Sequence, residues 1–126
     1  RKIAWPRALM ADAAARDSND FRNLLRLAAE AAPAVRQEVL ALRSPTLLTR
    51  PGLIARYDLM EMLTDFSQAS GTADGPPSLW LLIPQPTLGR PAIDGAVLPV
   101  ISAANWARLT ESWLANAHRA GGRSAA

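Results

Sequence analysis

Cysteine is absent from the 126 residues of this chain. A disulfide framework, a thiol nucleophile and a thiolate metal site are therefore excluded. The absence fits a reducing compartment, and we expect a cytoplasmic location. Long apolar runs are also missing: no stretch reaches the roughly 18 consecutive apolar residues typical of a membrane-spanning helix. We expect no membrane partner.

Histidine is nearly absent as well. The chain has one, His118, close to the end of the predicted last helix, where a cation is favourable at the negative helix terminus. There is no G-x-S-x-G elbow and no glycine-rich phosphate loop. Asp58, Glu61 and Asp65 share one face of a predicted helix, a pattern typical of a solvated surface. We predict no catalytic residue, no metal and no cofactor, and a chain that is not itself an enzyme.

An initiating methionine is missing too, since the sequence begins at Arg1. We interpret the chain as one domain cut from a larger protein. Its length and its balance of apolar and charged residues are those of a single globular domain.

The N-terminal third, residues 1–44, has a helical pattern. Pro6 suits the first turn of one helix, and Ser18 or Asn19 suits the cap of a second helix over residues 20–32. Pro33 is expected to break or restart that helix. We treat this helical segment as packed on, or leading into, the domain that follows.

Residues 45–120 have the pattern of a small α/β domain. Buried strands are predicted near residues 46–49 and 79–83, with a helix over 51–69 between them, which makes one βαβ unit. Asp94-Gly95 predicts a tight hairpin turn, and a third strand near 97–101 is placed at an edge by Pro99. A last helix is predicted over 103–118, and residues 121–126 are predicted to form a disordered tail. The expected fold is α/β, with a small, mostly parallel three-stranded sheet flanked by helices.

Positive charge is concentrated in the first half of the chain. Residues 1–56 hold nine arginines and one lysine against five acids, for a net charge of +5, whereas the remainder has a net charge of −2. Arg22 and Arg26 align on one predicted helix, so DNA contact by the basic helices is one candidate function.

A second candidate site lies at the predicted turn from strand to helix, Thr49 to Gly52. An anion binds favourably at a helix N-terminus, and Arg50 and Arg56 are positioned to hold one there. This turn is also where a small enzyme would place its site. It has one glycine instead of the several that phosphate loops use.

The tryptophans divide into two groups. Trp80, Trp106 and Trp113 fall on predicted buried faces and are expected in the core. Trp5 lies in a segment rich in alanine and arginine, so we predict that it anchors the N-terminal helix or contacts a neighbouring domain.

Several stretches together resemble a known family. They are LLTRPGLIARY from Leu47, LWLLIP from Leu79, IDG from Ile93, PVI from Pro99, NWAR from Asn105 and WLANAHR from Trp113. Over residues 45–119 the chain resembles the C-terminal region of large actinobacterial multidomain proteins of Pgl/BREX-type phage-defence systems. The serine/threonine-kinase component is favoured over the ATPase component. The resemblance implies a parent that restricts phage beside a methyltransferase and a phosphatase-like partner, but it supplies no catalytic residue here, because kinase and Walker motifs are absent.

The leading hypothesis is therefore a non-catalytic interaction module that contacts other domains or subunits of a larger complex. Nucleic-acid contact through the basic helices, and a small enzyme with a site near Arg50 and Arg56, are the alternatives.

Overall fold

Two helices form the N-terminal third of the chain. The computed structural model describes residues 4–84, 89–99 and 102–116. Helix α1 spans Trp5–Ala13, and α2 spans Asn19–Leu40. The Ser18 side chain accepts a hydrogen bond from the Phe21 N–H and caps α2, as the sequence predicts.

The predicted break at Pro33 is wrong, because α2 continues through it. A proline inside a helix leaves the carbonyl four residues earlier without its donor. Both Pro33 and Ala29, which carries that carbonyl, are exposed. Water is therefore available to the orphaned carbonyl, which lowers the cost of keeping the helix intact.

The βαβ unit is present. Strand β1, Thr46–Leu48, pairs in parallel with β2, Leu79–Leu81, and the register places Leu47 beside Trp80. Two helices lie between these strands: α3, Gly52–Arg56, and α4, Glu61–Ala69.

The single helix predicted over 51–69 is wrong, because Asp58 ends its first part. Asp58 has a φ of 56°, and the Leu59 N–H donates to the Ile54 carbonyl at 2.8 Å. This six-to-one bond around a left-handed residue is the Schellman arrangement that terminates helices. Glycine usually occupies that position. Because this chain has Asp58 there, the sequence carries no glycine signal for the break.

The prediction of a third strand in this sheet is also wrong. Among the described residues the sheet has two parallel strands, and the residues directly after Asp94-Gly95 pair elsewhere. Strand β3, Ala92–Ile93, and strand β4, Ala96–Val97, form a separate antiparallel hairpin. Asp94 and Gly95 both have positive φ, as a two-residue hairpin turn requires. The predicted turn is confirmed, but the described strands on either side of it pair with each other and not with the parallel sheet; the predicted extension over 100–101 lies outside the described residues.

The core is small. Leu63 and Phe66 of α4 and Ile93 of β3 are its buried centre. Partly buried apolar side chains pack around them from α2, from the α3–α4 region and from one face of the sheet: Val39, Leu40, Leu48, Ile54, Ala55, Met60, Met62, Leu79, Leu81, Ile83 and Leu98. Helix α2 lies against α4, and α1 lies against α2. The helical N-terminal segment thus packs on the α/β part; the boundary at residue 44 stays a prediction.

The C-terminal part differs most from its prediction. A short 3₁₀ turn, Ala103–Asn105, and one short helix α5, Glu111–Leu114, replace the helix predicted over 103–118. Trp106 and Trp113 are exposed, so their predicted core role is wrong. His118 and the predicted tail over 121–126 lie outside the described residues, within which no helix is long and apolar enough to cross a membrane.

Candidate functional site

Arg56 joins the end of α3 to the end of α1. Its Nε donates to Asp12 Oδ1 at 2.6 Å, and its Nη2 donates to the Asp12 backbone carbonyl at 2.6 Å. The Tyr57 hydroxyl donates to the same Oδ1 at 2.9 Å. Two donors therefore converge on one carboxylate that lies more than forty residues earlier in the chain.

An aromatic ring supports this contact. Phe21 of α2 is buried, and the Arg56 guanidinium lies 5.8 Å from the centre of its ring. The Arg16 guanidinium lies 5.9 Å from the same centre. Both distances are within cation–π range. Three segments, α1, α2 and α3, are thus joined through Asp12, Phe21 and Arg56.

The electrostatics follow from these bonds. The hydrogen bond from Arg56, followed by that from Tyr57, lowers the pKa of the Asp12 carboxyl below its ordinary value. The same bond to Asp12 raises the pKa of Arg56. Burial, followed by the hydrogen bond to Asp12, raises the pKa of the Tyr57 hydroxyl. Near neutral pH the contact therefore contains a carboxylate, a guanidinium and a neutral phenol.

The predicted anion site needs both Arg50 and Arg56 to be available, but the structure leaves them in different environments. Arg56 is engaged by Asp12, whereas Arg50 is exposed, has a φ of 55° and forms no ion pair with another described residue. The Asp94 carboxylate lies beside the start of α3, since its Oδ2 is 3.8 Å from the point where a Cβ on Gly52 would sit. An anion at this helix end would meet that negative charge. The site stays a prediction, with Arg50 as its available cation.

The basic residues of α2 are partnered locally. Arg22 donates to Asn19 at 2.5 Å, and Arg26 pairs with Glu30 at 2.6 Å. Two further arginines turn towards the protein: Arg36 pairs with Asp65 of α4 at 2.6 Å, and Arg43 donates to backbone carbonyls. The positive charge of the first half is partly neutralised within the chain.

The carboxylate face of the predicted helix is divided by the helix break. Asp58 stands at the end of α3, and Glu61 and Asp65 belong to α4, where Asp65 pairs with Arg36. An open groove of about 270 Å³ beside this pair is lined mainly by polar residues, including Thr72 and Asp74. Within the described ranges no three acidic or histidine side chains are grouped closely enough to hold a metal ion.

An apolar surface lies on the side of the parallel sheet opposite the core. Leu47 is 61% exposed, and its neighbour in register, Trp80, is 68% exposed. Leu82 is exposed on the same side, two positions after Trp80. We name these three residues the sheet face. The predicted core role of Trp80 is wrong because, within the part of the chain that the structure describes, helices cover the other side of the sheet.

A second apolar surface runs along α1. Trp5, Leu9 and Met10 are all more than two-thirds exposed, and Trp5 and Leu9 are one helical turn apart. The exposed position of Trp5 agrees with contact to something outside the chain, which stays a prediction. No signal in the sequence indicates the sheet face, since an apolar run in a short parallel strand normally indicates burial on both sides.

Comparison with known proteins identifies a relative of the chain. The chain is 32% identical over 130 residues to a protein of Streptomyces coelicolor described as "Probable kinase PglW". The alignment covers 96% of this chain but 8% of that protein, so the chain spans a small part of its relative's length. The similarity reaches beyond residues 45–119 into the N-terminal helices, and it supports a relation to Pgl-type proteins. No protein family profile and no solved structure matches the chain.

Proposed function

We propose that this chain is a non-catalytic interaction module of a large Pgl-type phage-defence protein. It contacts other domains or subunits of its parent through exposed apolar surfaces. The parent is a kinase-type component of a BREX-like system in the cytoplasm of an actinobacterium, and this chain belongs to its C-terminal region. Kinase activity resides in other parts of the parent.

The similarity to the probable kinase supports the first part of this proposal. It extends over nearly all of this chain and a small share of the relative, as expected of one unit in a multidomain protein. The chain also lacks the kinase glycine-rich loop, the H-R-D motif and the D-F-G motif. Phosphoryl transfer therefore needs residues that lie elsewhere in the parent.

The observation that carries the proposal is the exposure of large apolar side chains next to a small core. Leu47 and Trp80 form adjacent parts of one surface, and Trp5 and Leu9 form part of another. Buried tryptophans are the residues that most often dominate the binding energy of interfaces. Contiguous exposed apolar surface rimmed by polar residues is typical of an interaction site.

Nucleic-acid contact has less support. Arg22, Arg26 and Arg36 each have a partner within the chain. A phosphate backbone would compete with the acids that already hold Arg26 and Arg36. An enzyme site near Arg50 and Arg56 has less support for a similar reason, because Asp12 engages Arg56.

The test is reconstitution from two pieces. The 126-residue chain and the remainder of the complete polypeptide that contains it are expressed separately with different tags and mixed. We expect a stable complex, and we expect the remainder alone to retain phosphoryl transfer to a generic protein substrate. No complex at micromolar concentrations, or phosphoryl transfer that depends on this chain, contradicts the proposal.

A matched pair of variants locates the contact. Leu47 on the sheet face and Leu53 on α3 are 61% and 60% exposed. Leu47→Lys should weaken the complex at least about tenfold, as expected when a charge enters an apolar contact. Leu53→Lys should leave its affinity within about twofold.

A further inference from the structure

We propose that the outer edge of β2 accepts an added β-strand from another segment of the parent polypeptide. The inference rests on the proposed function and names the element of the parent that binds.

The hydrogen bonds between β1 and β2 fix that direction. The Thr46 N–H donates to the Ser78 carbonyl at 3.0 Å, and the Leu82 N–H donates to the Leu48 carbonyl at 2.9 Å. Successive residues of a strand point to opposite sides, so Ser78, Trp80 and Leu82 turn their main-chain groups towards β1. Leu79 and Leu81 therefore turn their N–H and C=O groups away from β1.

Those outward groups have no partner among the described residues. Within the described parts of the chain β2 has one neighbour, β1, and no hydrogen bond joins the Leu79 or Leu81 main chain to any other segment. The side chains of the same two residues pack against the buried core. A row of free donors and acceptors beside a half-buried strand is a template for another strand.

The outer edge of β1 is a poorer template. In β1 the main-chain groups of Leu47 point away from β2. The preceding residue with this orientation is Pro45, which has no N–H to donate. One outward residue lies within β1, whereas two lie within β2. The β2 edge is therefore the side on which the sheet is extended.

A single added strand can pair with the β2 edge and also adjoin the sheet face. A strand beside β2 places alternate side chains on each side of the sheet. One set adjoins Leu79 and Leu81 at the core, and the other set adjoins Trp80 and Leu82. The occupant is thus an extended segment with apolar residues on both faces, as in the interior of a parallel sheet.

The parent polypeptide is the source that the observations favour. The relative extends far beyond the region matched by this chain, which makes up 8% of it. A second copy of the chain is the alternative occupant, and it would bring its own β2, Leu79–Leu81, to the edge. Pairing between two copies is one outcome of the test.

The experiment measures amide hydrogen exchange at single residues. It uses the 126-residue chain alone and the complete polypeptide that contains it. In the isolated chain the Leu79 and Leu81 amides should exchange fast, and the Leu82 amide, bonded to Leu48, should be protected as an internal reference. In the complete polypeptide the Leu79 and Leu81 amides should slow at least about tenfold.

Each of the other outcomes contradicts either the added strand or the proposed function. A two-piece complex that forms without protection at Leu79 and Leu81 overturns the added strand and leaves the proposed function standing. Failure of the two pieces to bind removes the proposed function and the strand with it. Protection that grows with the concentration of the isolated chain, together with a dimeric mass, assigns the edge to a second copy and overturns the proposal.

A backbone variant gives an independent readout. N-methylleucine at position 81, introduced by semisynthesis, removes the outward N–H and keeps the side chain. Thermal unfolding of the isolated chain should be unchanged, because that N–H has no partner there. Binding to the remainder of the polypeptide should weaken at least about tenfold, roughly the worth of a lost hydrogen bond with an unsatisfied partner; unchanged binding contradicts the proposal.

Discussion

Arg56 and Asp12 hold the first helix of this protein onto its α/β part, through a 2.6 Å hydrogen bond between residues 44 positions apart. Both side chains remain partly exposed, at 37% and 32%. The Tyr57 hydroxyl shares the same carboxylate oxygen. The contact is therefore a small network, whose members should not contribute independently.

The first prediction concerns that network. Asp12→Ala should lower the urea midpoint of unfolding, because it leaves the Arg56 and Tyr57 donors without their acceptor. Asp12→Asn, which keeps an acceptor oxygen, should lower the midpoint less. The double variant Asp12→Ala with Arg56→Ala should cost less than the sum of the single variants. Strict additivity would show that the two residues do not interact in solution.

The second prediction is a pH dependence in the acid range. The pKa of Asp12 is lowered in the folded protein, first by Arg56. Its stabilising contribution is therefore fully present above the ordinary carboxyl value of 3.8 and is lost as the pH falls through the lower folded value. Unfolding monitored by far-UV circular dichroism between pH 2 and 6 (about the range in which carboxyls titrate) measures it.

The control for this acid dependence is Asp12→Asn, which cannot titrate. The variant should lose less stability than the unsubstituted 126-residue chain as the pH falls through that range. Other carboxyls also titrate there, so the difference between the two curves is the quantity of interest. Parallel curves would mean that the pKa of Asp12 is the same in the folded and unfolded chains.

The third prediction separates the core from the sheet face. Phe66 is 2% exposed at the centre of the core, so Phe66→Ala should cost about 3–5 kcal/mol of unfolding free energy. Leu47→Ala on the sheet face should change it by about 0.5 kcal/mol or less in the isolated chain. Denaturant titration of both variants checks this. A large loss for Leu47→Ala would indicate that the sheet face is covered in the isolated chain.

The fourth prediction compares two glycines. A Cβ on Gly75 would lie 2.6 Å from the Ala69 backbone carbonyl oxygen, whereas a Cβ on Gly52 meets nothing closer than 3.8 Å. Gly75→Ala should therefore destabilise the chain by about 1–3 kcal/mol, as overpacking does. Gly52→Ala, at the first position of α3, should be neutral or stabilising by up to about 1 kcal/mol. Equal effects at both positions would contradict the close approach at Gly75.

Local signals in the sequence predicted the elements that depend on neighbouring residues. Ser18 caps α2, Asp94-Gly95 turns the hairpin, and two short apolar runs form the parallel pair. Each of these depends on backbone preferences or on a short periodicity. The α/β class followed from the order of these elements.

Features that depend on distant contacts were not predicted. Nothing near Arg56 in the sequence indicates Asp12 as its partner, and the periodicity of residues 51–69 does not show that Asp58 adopts a left-handed conformation. The exposure of Trp80 was missed for another reason. The apolar run of β2 predicts burial on both sides of the sheet, but among the described residues only the side that faces the core is covered.

The proposed function requires that the exposed apolar surfaces of this chain are covered in its parent. Hydroxyl-radical footprinting of Trp80 and Trp5, in the isolated chain and in the complete polypeptide, tests it most directly. Trp80 is 68% and Trp5 is 67% exposed, so both should be oxidised readily in the isolated chain. The account predicts strong protection of Trp80, and protection of Trp5, in the complete polypeptide. Equal oxidation of Trp80 in the two proteins would contradict it.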